Sequence, residues 1–308
     1  MSVGITPPSF QWSFLLPKYW PVWIGAGLLY LLTWLPFSFI LRLGNGVGWL
    51  LTKVAKKRVQ VARRNLELCY PQWSNEQREI VLKKHLGRAG MAVFETAIGW
   101  WWPTWRIKKH FEIEGFEHAE AILKQGNGVF GLALHNMNLE FACRGLGYTH
   151  PSIAFYRKHN NPLMDYFQYH GRAQSNKYMI HKRNAKALLA AMDEGELCIY
   201  LPDQDYGRAQ SAFVPFGGVE ETATTTATLM FARRANCVPL MITSQYSKKG
   251  CKLKFYPPLR ELADKEDNEA LTELNQQILD IVNEQPESYL WMHKRFKTRP
   301  NEGDPSLY

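Results

Sequence analysis

From about residue 112 onward, short runs rich in β-branched and aromatic residues alternate with stretches of helical composition. This alternation restricts the chain to few architectures. The candidate strands are GVFGLAL (128–134), SIAFYR (152–157), KYMI (177–180), ELCIYL (196–201), SAFVPF (211–216), VPLMITSQY (238–246) and KLKFYPP (252–258). Between several of them lie the helical segments NLEFACRGL, NPLMDYFQYHGRA, NAKALLAAMDEG, TATTTATLMFARRA and EALTELNQQILDIVNEQ. Strands separated by helices indicate an α/β domain with a mainly parallel or mixed sheet flanked by helices on both faces. Ligands of such sheets gather beyond the carboxyl ends of the strands, so the residues just after each strand are the ones to inspect.

The N-terminal part is of another kind. Between Lys18 and Arg42 the run YWPVWIGAGLLYLLTWLPFSFIL carries no charge over 23 residues. As one helix it would be about 35 Å long, against a hydrocarbon core of about 30 Å. A retained single-pass transmembrane helix is therefore expected, with Tyr19, Trp20 and Trp23 as interfacial anchors. Pro36 introduces a kink or an early end, which leaves a bent or interfacial segment as the alternative. A cleaved signal peptide fits poorly, because the run is too long and no A-x-A-like site follows it. The next stretch, KVAKKRVQVARR, holds Lys53, Lys56, Lys57, Arg58, Arg63 and Arg64 without an acid. On the positive-inside rule this side is cytoplasmic, and the same cluster suits anionic headgroups. At Ser74 the pattern S-N-E-Q fits a capping box opening a helix that ends near Trp100-Trp101-Trp102-Pro103. The expected organisation is a membrane anchor over 1–52, a basic helical membrane-proximal segment over 53–110, and the α/β domain over 111–308.

The net charge of +9 calls for an anionic partner, and 11 Trp point to a lipid interface as well as a core. Five scattered cysteines, with no C-x-x-C pair, suggest neither a disulfide framework nor a zinc knuckle.

Several groups of residues can carry chemistry. His135 and Glu140 form H-x4-E where the first central strand passes into a helix. The two converge only if His135 precedes the helix and Glu140 lies in its first turn; Glu140 would then orient a His135 general base. Asp203-Gln204-Asp205 follows another strand end, and D-x-D read alone would suggest a cation site for a nucleotide sugar. Thr225, within Thr224-Thr225-Thr226, can cap a helix or meet a phosphate. Near the C-terminus His293, Lys294, Arg295, Lys297 and Arg299 form a basic cluster beside Trp291 and Phe296. No helix-turn-helix, zinc or RNP pattern accompanies it, so a nucleic-acid partner is not expected.

Together the H-x4-E dyad, FYRKHNNPLMDYFQ (155–168), YLPDQDYG (200–207), FVPFGGVEETATTT (213–226) and YLWMHKRFKTRP (289–300) stand in the order found in a known family. The chain resembles the late (secondary) acyltransferases of lipid A biosynthesis, of lauroyl, palmitoleoyl or myristoyl type, within the glycerolipid acyltransferase superfamily. The resemblance runs over nearly the whole length. It implies a glycerolipid acyltransferase-like domain at the cytoplasmic side of the inner membrane, working without a cofactor or metal. The implied reaction moves a fatty acyl chain from acyl carrier protein to a hydroxyacyl chain of a Kdo-linked lipid A precursor. His135 is then the base, Glu140 its partner and Arg157 the oxyanion or phosphate ligand. Asp203 and Asp205 position the acceptor or serve the fold, while Thr225, Arg295 and Arg299 are implied contacts to the anionic glycolipid. Lys83, Lys84, Lys108 and Lys109 are candidate docking points for the acidic carrier protein. In the PFGG segment Gly217 stands where the family usually has a second aromatic residue, which touches the expected shape of the acyl or acceptor pocket. Glu at the end of the dyad resembles the lauroyl-type branch.

Two other readings remain. A lysophosphatidic or glycerol-phosphate acyltransferase usually carries Asn before the His and Asp at the dyad's end, where this chain has Leu134 and Glu140. A non-catalytic, membrane-tethered lipid-binding protein would not depend on His135.

Overall fold

The computed structural model describes residues 4–308. Helices α1 (Trp20–Thr33), α2 (Phe37–Val54), α3 (Lys56–Cys69), α4 (Asn75–Trp101) and α5 (Thr104–Lys109) precede the first strand. After them come β1 (Phe111–Glu114), α6 (Phe116–Lys124), β2 (Gly128–Ala133), α7 (Leu139–Thr149), β3 (Ser152–Tyr156) and α8 (Pro162–Ala173). The chain continues through β4 (Asn176–His181), α9 (Ala185–Asp193), β5 (Leu197–Tyr200), β6 (Ser211–Phe216) and β7 (Val219–Thr225). It closes with α10 (Ala227–Arg234), β8 (Cys237–Tyr246), β9 (Cys251–Pro258) and α11 (Asp267–Glu284).

Among the described residues the sheet has seven strands in the order β1-β9-β8-β2-β5-β3-β4. It is mixed: β8 and β9 run antiparallel, and the other neighbours are parallel. Strands β6 and β7 form a separate antiparallel hairpin. Central strand β2 is buried along its whole length, as a strand covered on both faces must be. Phe130, Leu132 and Leu134 point into one apolar cluster, and Val129 and Ala133 into the other. That period of two sets the register of the segment that follows.

The 23-residue uncharged run is not one helix. Pro36 lacks an N–H to donate and has an extended ψ of 138°, so α1 stops after 14 residues and α2 begins afresh at Phe37. At 1.5 Å per residue α1 is about 21 Å long, short of a bilayer core. Among the described residues no helix is long and apolar enough to cross a membrane, which corrects the expected single-pass span over 1–52. Both helices instead pack on α4. Trp102, buried, donates its indole N–H to the Thr33 carbonyl at 2.9 Å, and Arg106 reaches the Leu35 carbonyl at 2.5 Å.

Helix α4 starts where its cap predicts. Ser74 Oγ accepts from the Gln77 N–H at 3.2 Å, and the Gln77 side chain accepts from the Ser74 N–H at 2.8 Å. The tryptophan cluster at its other end divides between roles, with Trp102 in the core and Trp105 exposed. Strands β1 and β7 were not expected. The second runs into the segment read as helical from Thr222, where β-branched threonines favour an extended chain up to Thr225.

The PFGG turn packs against the C-terminal end of α3. Gly217 has φ +57°, and a Cβ there would sit 2.5 Å from the Cys69 carbonyl oxygen. Gly218 donates its N–H to that same oxygen at 3.0 Å. The turn therefore caps α3, a role for Gly217 that the sequence had not indicated. Gly217→Ala is expected to cost about 2 kcal/mol or more, from left-handed strain plus the contact with α3. A melting curve of the purified variant checks this.

Candidate active site

The site begins with the register of two parallel neighbours. Leu132 of β2 is level with Tyr200 of β5. His135 and Asp203 each lie three residues beyond those partners, so the two meet where the strands end. The Asp203 carboxylate accepts the His135 backbone N–H at 2.8 Å through Oδ2 and pairs with ring Nδ1 at 2.6 Å through Oδ1. With the carboxylate on Nδ1, the proton sits there and Nε2 is left as the basic nitrogen. Asp203 is fully buried and His135 partly exposed. Burial works to raise the Asp203 carboxyl, but the charge of His135 and its two hydrogen bonds outweigh this and hold it below the usual carboxylate range.

The turn carrying His135 is fixed from three sides. Asn136 donates to Thr243 Oγ1 at 2.8 Å and to the Ser244 carbonyl at 2.5 Å, and Asn138 donates to the Gln245 carbonyl at 3.0 Å. The C-terminal YLW segment adds a backbone clamp: Leu290 N–H donates to the His135 carbonyl at 2.9 Å, and Met137 N–H to the Ser288 carbonyl at 2.8 Å. Tyr289 Oη donates to the Asp203 carbonyl at 3.0 Å.

His135 does precede the helix, and Glu140 is the second residue of α7, as the dyad spacing requires. Their side chains nevertheless find different partners. The Glu140 carboxylate accepts from Trp100 Nε1 at 3.2 Å and from Arg172 Nε at 3.1 and 3.2 Å, with a further bond from Arg172 Nη2. The hydrogen bonding thus couples His135 to Asp203 and Glu140 to Arg172. This departs from the expected His135–Glu140 contact, because α4 and α8 supply Glu140 with a guanidinium and an indole.

Arg157 follows β3, is exposed, and lines two cavities. One, of about 930 Å³, is also lined by His135, Lys182 and Arg183, with Phe155, Tyr200, Met230 and Phe231 as apolar walls. The other, of about 400 Å³, is lined with Lys158, His159, Asn160, Gln168 and Arg172. A histidine lining an apolar-walled cavity, beside a cationic pocket, is suited to joining a hydrocarbon chain to an anionic acceptor.

The family model for bacterial lipid A biosynthesis acyltransferases matches residues 7–298. Similar proteins include a lipid A biosynthesis palmitoleoyltransferase of Escherichia coli, 40% identical over 97% of this chain and 98% of that protein. A lipid A biosynthesis lauroyltransferase of the same organism is 39% identical over 98% of this chain and 99% of its own. A lipid A biosynthesis acyltransferase of Haemophilus influenzae is 36% identical over 98% of each. The chain belongs to the bacterial lipid A biosynthesis acyltransferase family. It is accordingly an O-acyltransferase of late lipid A acylation.

Within this family member the remaining expected contacts fall in two groups. Thr225 lines the larger cavity, and its Oγ1 accepts the Ala227 N–H at 3.3 Å at the start of α10. The others are held by the fold. Asp205 accepts from Thr298 N–H at 2.7 Å and Thr298 Oγ1 at 2.8 Å, which ties down the C-terminal tail. Because Asp203 and Asp205 are committed to different partners, they do not form a paired carboxylate site. Arg295 is buried against the β6–β7 hairpin, donating to the Ala223 carbonyl at 2.6 Å with its guanidinium over the Phe216 ring. Arg299 donates to the Glu221 carbonyl at 2.9 Å. Asp205, Arg295 and Arg299 are therefore engaged in the fold, and the expected headgroup contacts of the two arginines are corrected on that ground. Arg172, Lys182 and Arg183 were not singled out from the sequence. Arg172 lies 32 residues from Glu140, and no local pattern links them.

Proposed function

We propose that the protein transfers a fatty acyl chain from acyl carrier protein to a hydroxyacyl chain of a Kdo-linked lipid A precursor, forming an acyloxyacyl group. The observation that carries this reading is His135, paired with Asp203, lining an apolar-walled cavity together with Arg157, Lys182 and Arg183. In this mechanism His135 Nε2 takes the acceptor hydroxyl proton as the oxygen attacks the thioester carbon. Asp203 stabilises the imidazolium, and Arg157 faces the tetrahedral oxyanion. Collapse breaks the carbon–sulfur bond, and the imidazolium returns its proton to the leaving thiolate. No acyl-enzyme is formed. Glu140 serves by holding Arg172 in the adjoining cationic pocket, where it meets an anionic headgroup. Higher identity to the palmitoleoyl- and lauroyltransferases than to a myristoyltransferase of Escherichia coli, at 27%, supports a place in the lauroyl- or palmitoleoyl-type branch.

The same reading places the protein on the cytoplasmic surface of the inner membrane, lying in the interface. Trp20, Ile24, Leu28 and Leu31 recur on one face of α1, each more than half exposed, and Phe39, Leu50 and Val54 are exposed on α2. Apolar helix faces of this kind bury shallowly beside headgroups, and the basic start of α3 adds attraction to anionic lipid. Replacing Ile24 and Leu28 by glutamate is expected to move the protein from the vesicle-bound to the free fraction in a flotation assay. Retention on vesicles would remove the interfacial reading.

The reaction is tested by mass spectrometry of the Kdo-linked precursor after incubation with detergent-solubilised protein and carrier protein loaded with C10 to C16 chains. A gain of one acyl group, lost in His135→Ala, is the expected result and reports the preferred chain length. No gain with any donor would redirect the acceptor to lysophosphatidic acid.

A further inference from the structure

A groove of about 730 Å³ lies between α2, α3 and α4, lined by residues that none of the catalytic contacts uses. It arises from a close helix crossing. A Cβ on Gly90 would sit 2.1 Å from the Gly44 carbonyl oxygen, and one on Gly48 would sit 2.3 Å from that of Leu86. Backbone therefore meets backbone where α2 crosses α4. Beside this crossing, α3 leaves α2 at Ala55 and a slot stays open between the three helices. Its volume is within the range of about 300–1,000 Å³ common for small-molecule sites.

The lining is amphipathic. The floor is Val59, Leu82 and Leu86, which are 8%, 2% and 6% exposed. The rim holds Lys56, Lys83 and Arg63, with Glu79 as the one acid among the lining residues. Arg63 is spent on Glu79, with a bidentate pair at 2.5 and 3.1 Å. Lys56 and Lys83 are exposed and have no carboxylate partner among the described residues. Trp49 forms one lip and carries the Lys53 ammonium 5.9 Å from its ring centroid. Beyond that lip lies the exposed apolar face of α2, with Phe39, Leu50 and Val54. The groove is thus continuous with the surface read above as lying in the bilayer interface.

We propose that this groove binds one anionic phospholipid, with an acyl chain along Val59, Leu82 and Leu86 and the phosphate at Lys56 and Lys83. A recessed apolar floor under a doubly cationic rim matches a lipid, which carries both chemistries in one molecule. A folded acidic protein would meet the lysines but could not reach a floor so nearly closed. The site rests on the interfacial placement of α1 and α2 and is separate from the acyl-transfer cavity.

Photo-crosslinking of the full chain in nonionic detergent tests it, using diazirine-bearing phosphatidylglycerol or phosphatidylcholine at equal mole fraction and mapping the labelled peptides. Phosphatidylglycerol label is expected to concentrate on residues 45–63 and 79–87, several-fold above phosphatidylcholine. The double variant Lys56→Glu/Lys83→Glu is expected to lower that label about tenfold, since each lysine contributes to holding an anionic headgroup. Thr52→Trp, which fills the slot without changing charge, is expected to remove groove label and leave label on α1. Groove label equal for the two lipids and unchanged in the double variant would overturn the site. So would label spread over the α1 and α2 faces without groove enrichment, or displacement of the lipid by purified acyl carrier protein. Groove label with no label on residues 20–31 would support the site and count against the interfacial reading.

Discussion

His135→Ala is expected to lower acyl transfer by roughly 10²–10⁴-fold and also to lower the melting transition, because the buried Asp203 carboxylate keeps the backbone N–H but loses the ring. Asp203→Asn makes the sharper comparison. The amide keeps an oxygen that can accept from the His135 backbone N–H or from Nδ1, but it removes the negative charge that stabilises the imidazolium. Turnover should therefore fall nearly as far as in His135→Ala, and the double variant should be little worse than either single one, because the two residues act as a unit. Initial rates of precursor acylation, measured with folded proteins of matched circular dichroism, report all three. Near-parental turnover in Asp203→Asn would return the role of histidine partner to Glu140. The geometry favours Asp203, since a 2.6 Å contact to Nδ1 and a 2.8 Å bond to the backbone N–H fix both the ring and the turn that carries it.

The second large effect is expected at Glu140. Its alanine variant leaves the Arg172 guanidinium and the Trp100 indole without their acceptor. Loss of one member of a buried pair costs about 3–5 kcal/mol. Here the side chains are 30% and 21% exposed, and solvent screening reduces the expectation to about 1–3 kcal/mol. The signature lies in the pattern of variants. Glu140→Ala/Arg172→Met should be more stable than Glu140→Ala, because it removes the orphaned cation. If Glu140 acts through Arg172 on an anionic acceptor, the activity loss should appear mainly as a raised KM, by roughly ten- to a hundredfold. A fall confined to kcat would instead make Glu140 a partner of the base. Thermal melts and a substrate titration separate these outcomes.

Much of the α/β architecture is readable along the chain, because its determinants are local. The alternation of Phe130, Leu132 and Leu134 with Val129 and Ala133 marks a strand covered on both faces. Ser74 and Gln77 specify the start of α4 through two side-chain bonds within one turn. The position of His135 before α7 follows from the same local logic. The uncharged run was harder, since hydropathy and length argue for a span while one proline divides it. What decided the outcome was the packing of both halves on α4, with Trp102 and Arg106 taking up backbone carbonyls at the break. Strand β7 was missed for a related reason: its threonines are compatible with either state until hairpin partner β6 is in place.

The candidate base His135, the order of the motifs and the family are thus properties of the sequence by itself, carried by residue identity and short spacing. Only the tertiary structure decided which side chain each charged group meets. Asp203 comes to His135 because β2 and β5 are neighbours in parallel register, and Arg172 comes to Glu140 because α7 and α8 both pack against α4. Arg295 and Arg299, conspicuous as basic residues near the C-terminus, are drawn onto the carbonyls of the β6–β7 hairpin. The physical reason is common to all of these. A charge finds the partner that burial brings within hydrogen-bond distance, and burial is set by how distant elements pack, which no spacing along the chain encodes.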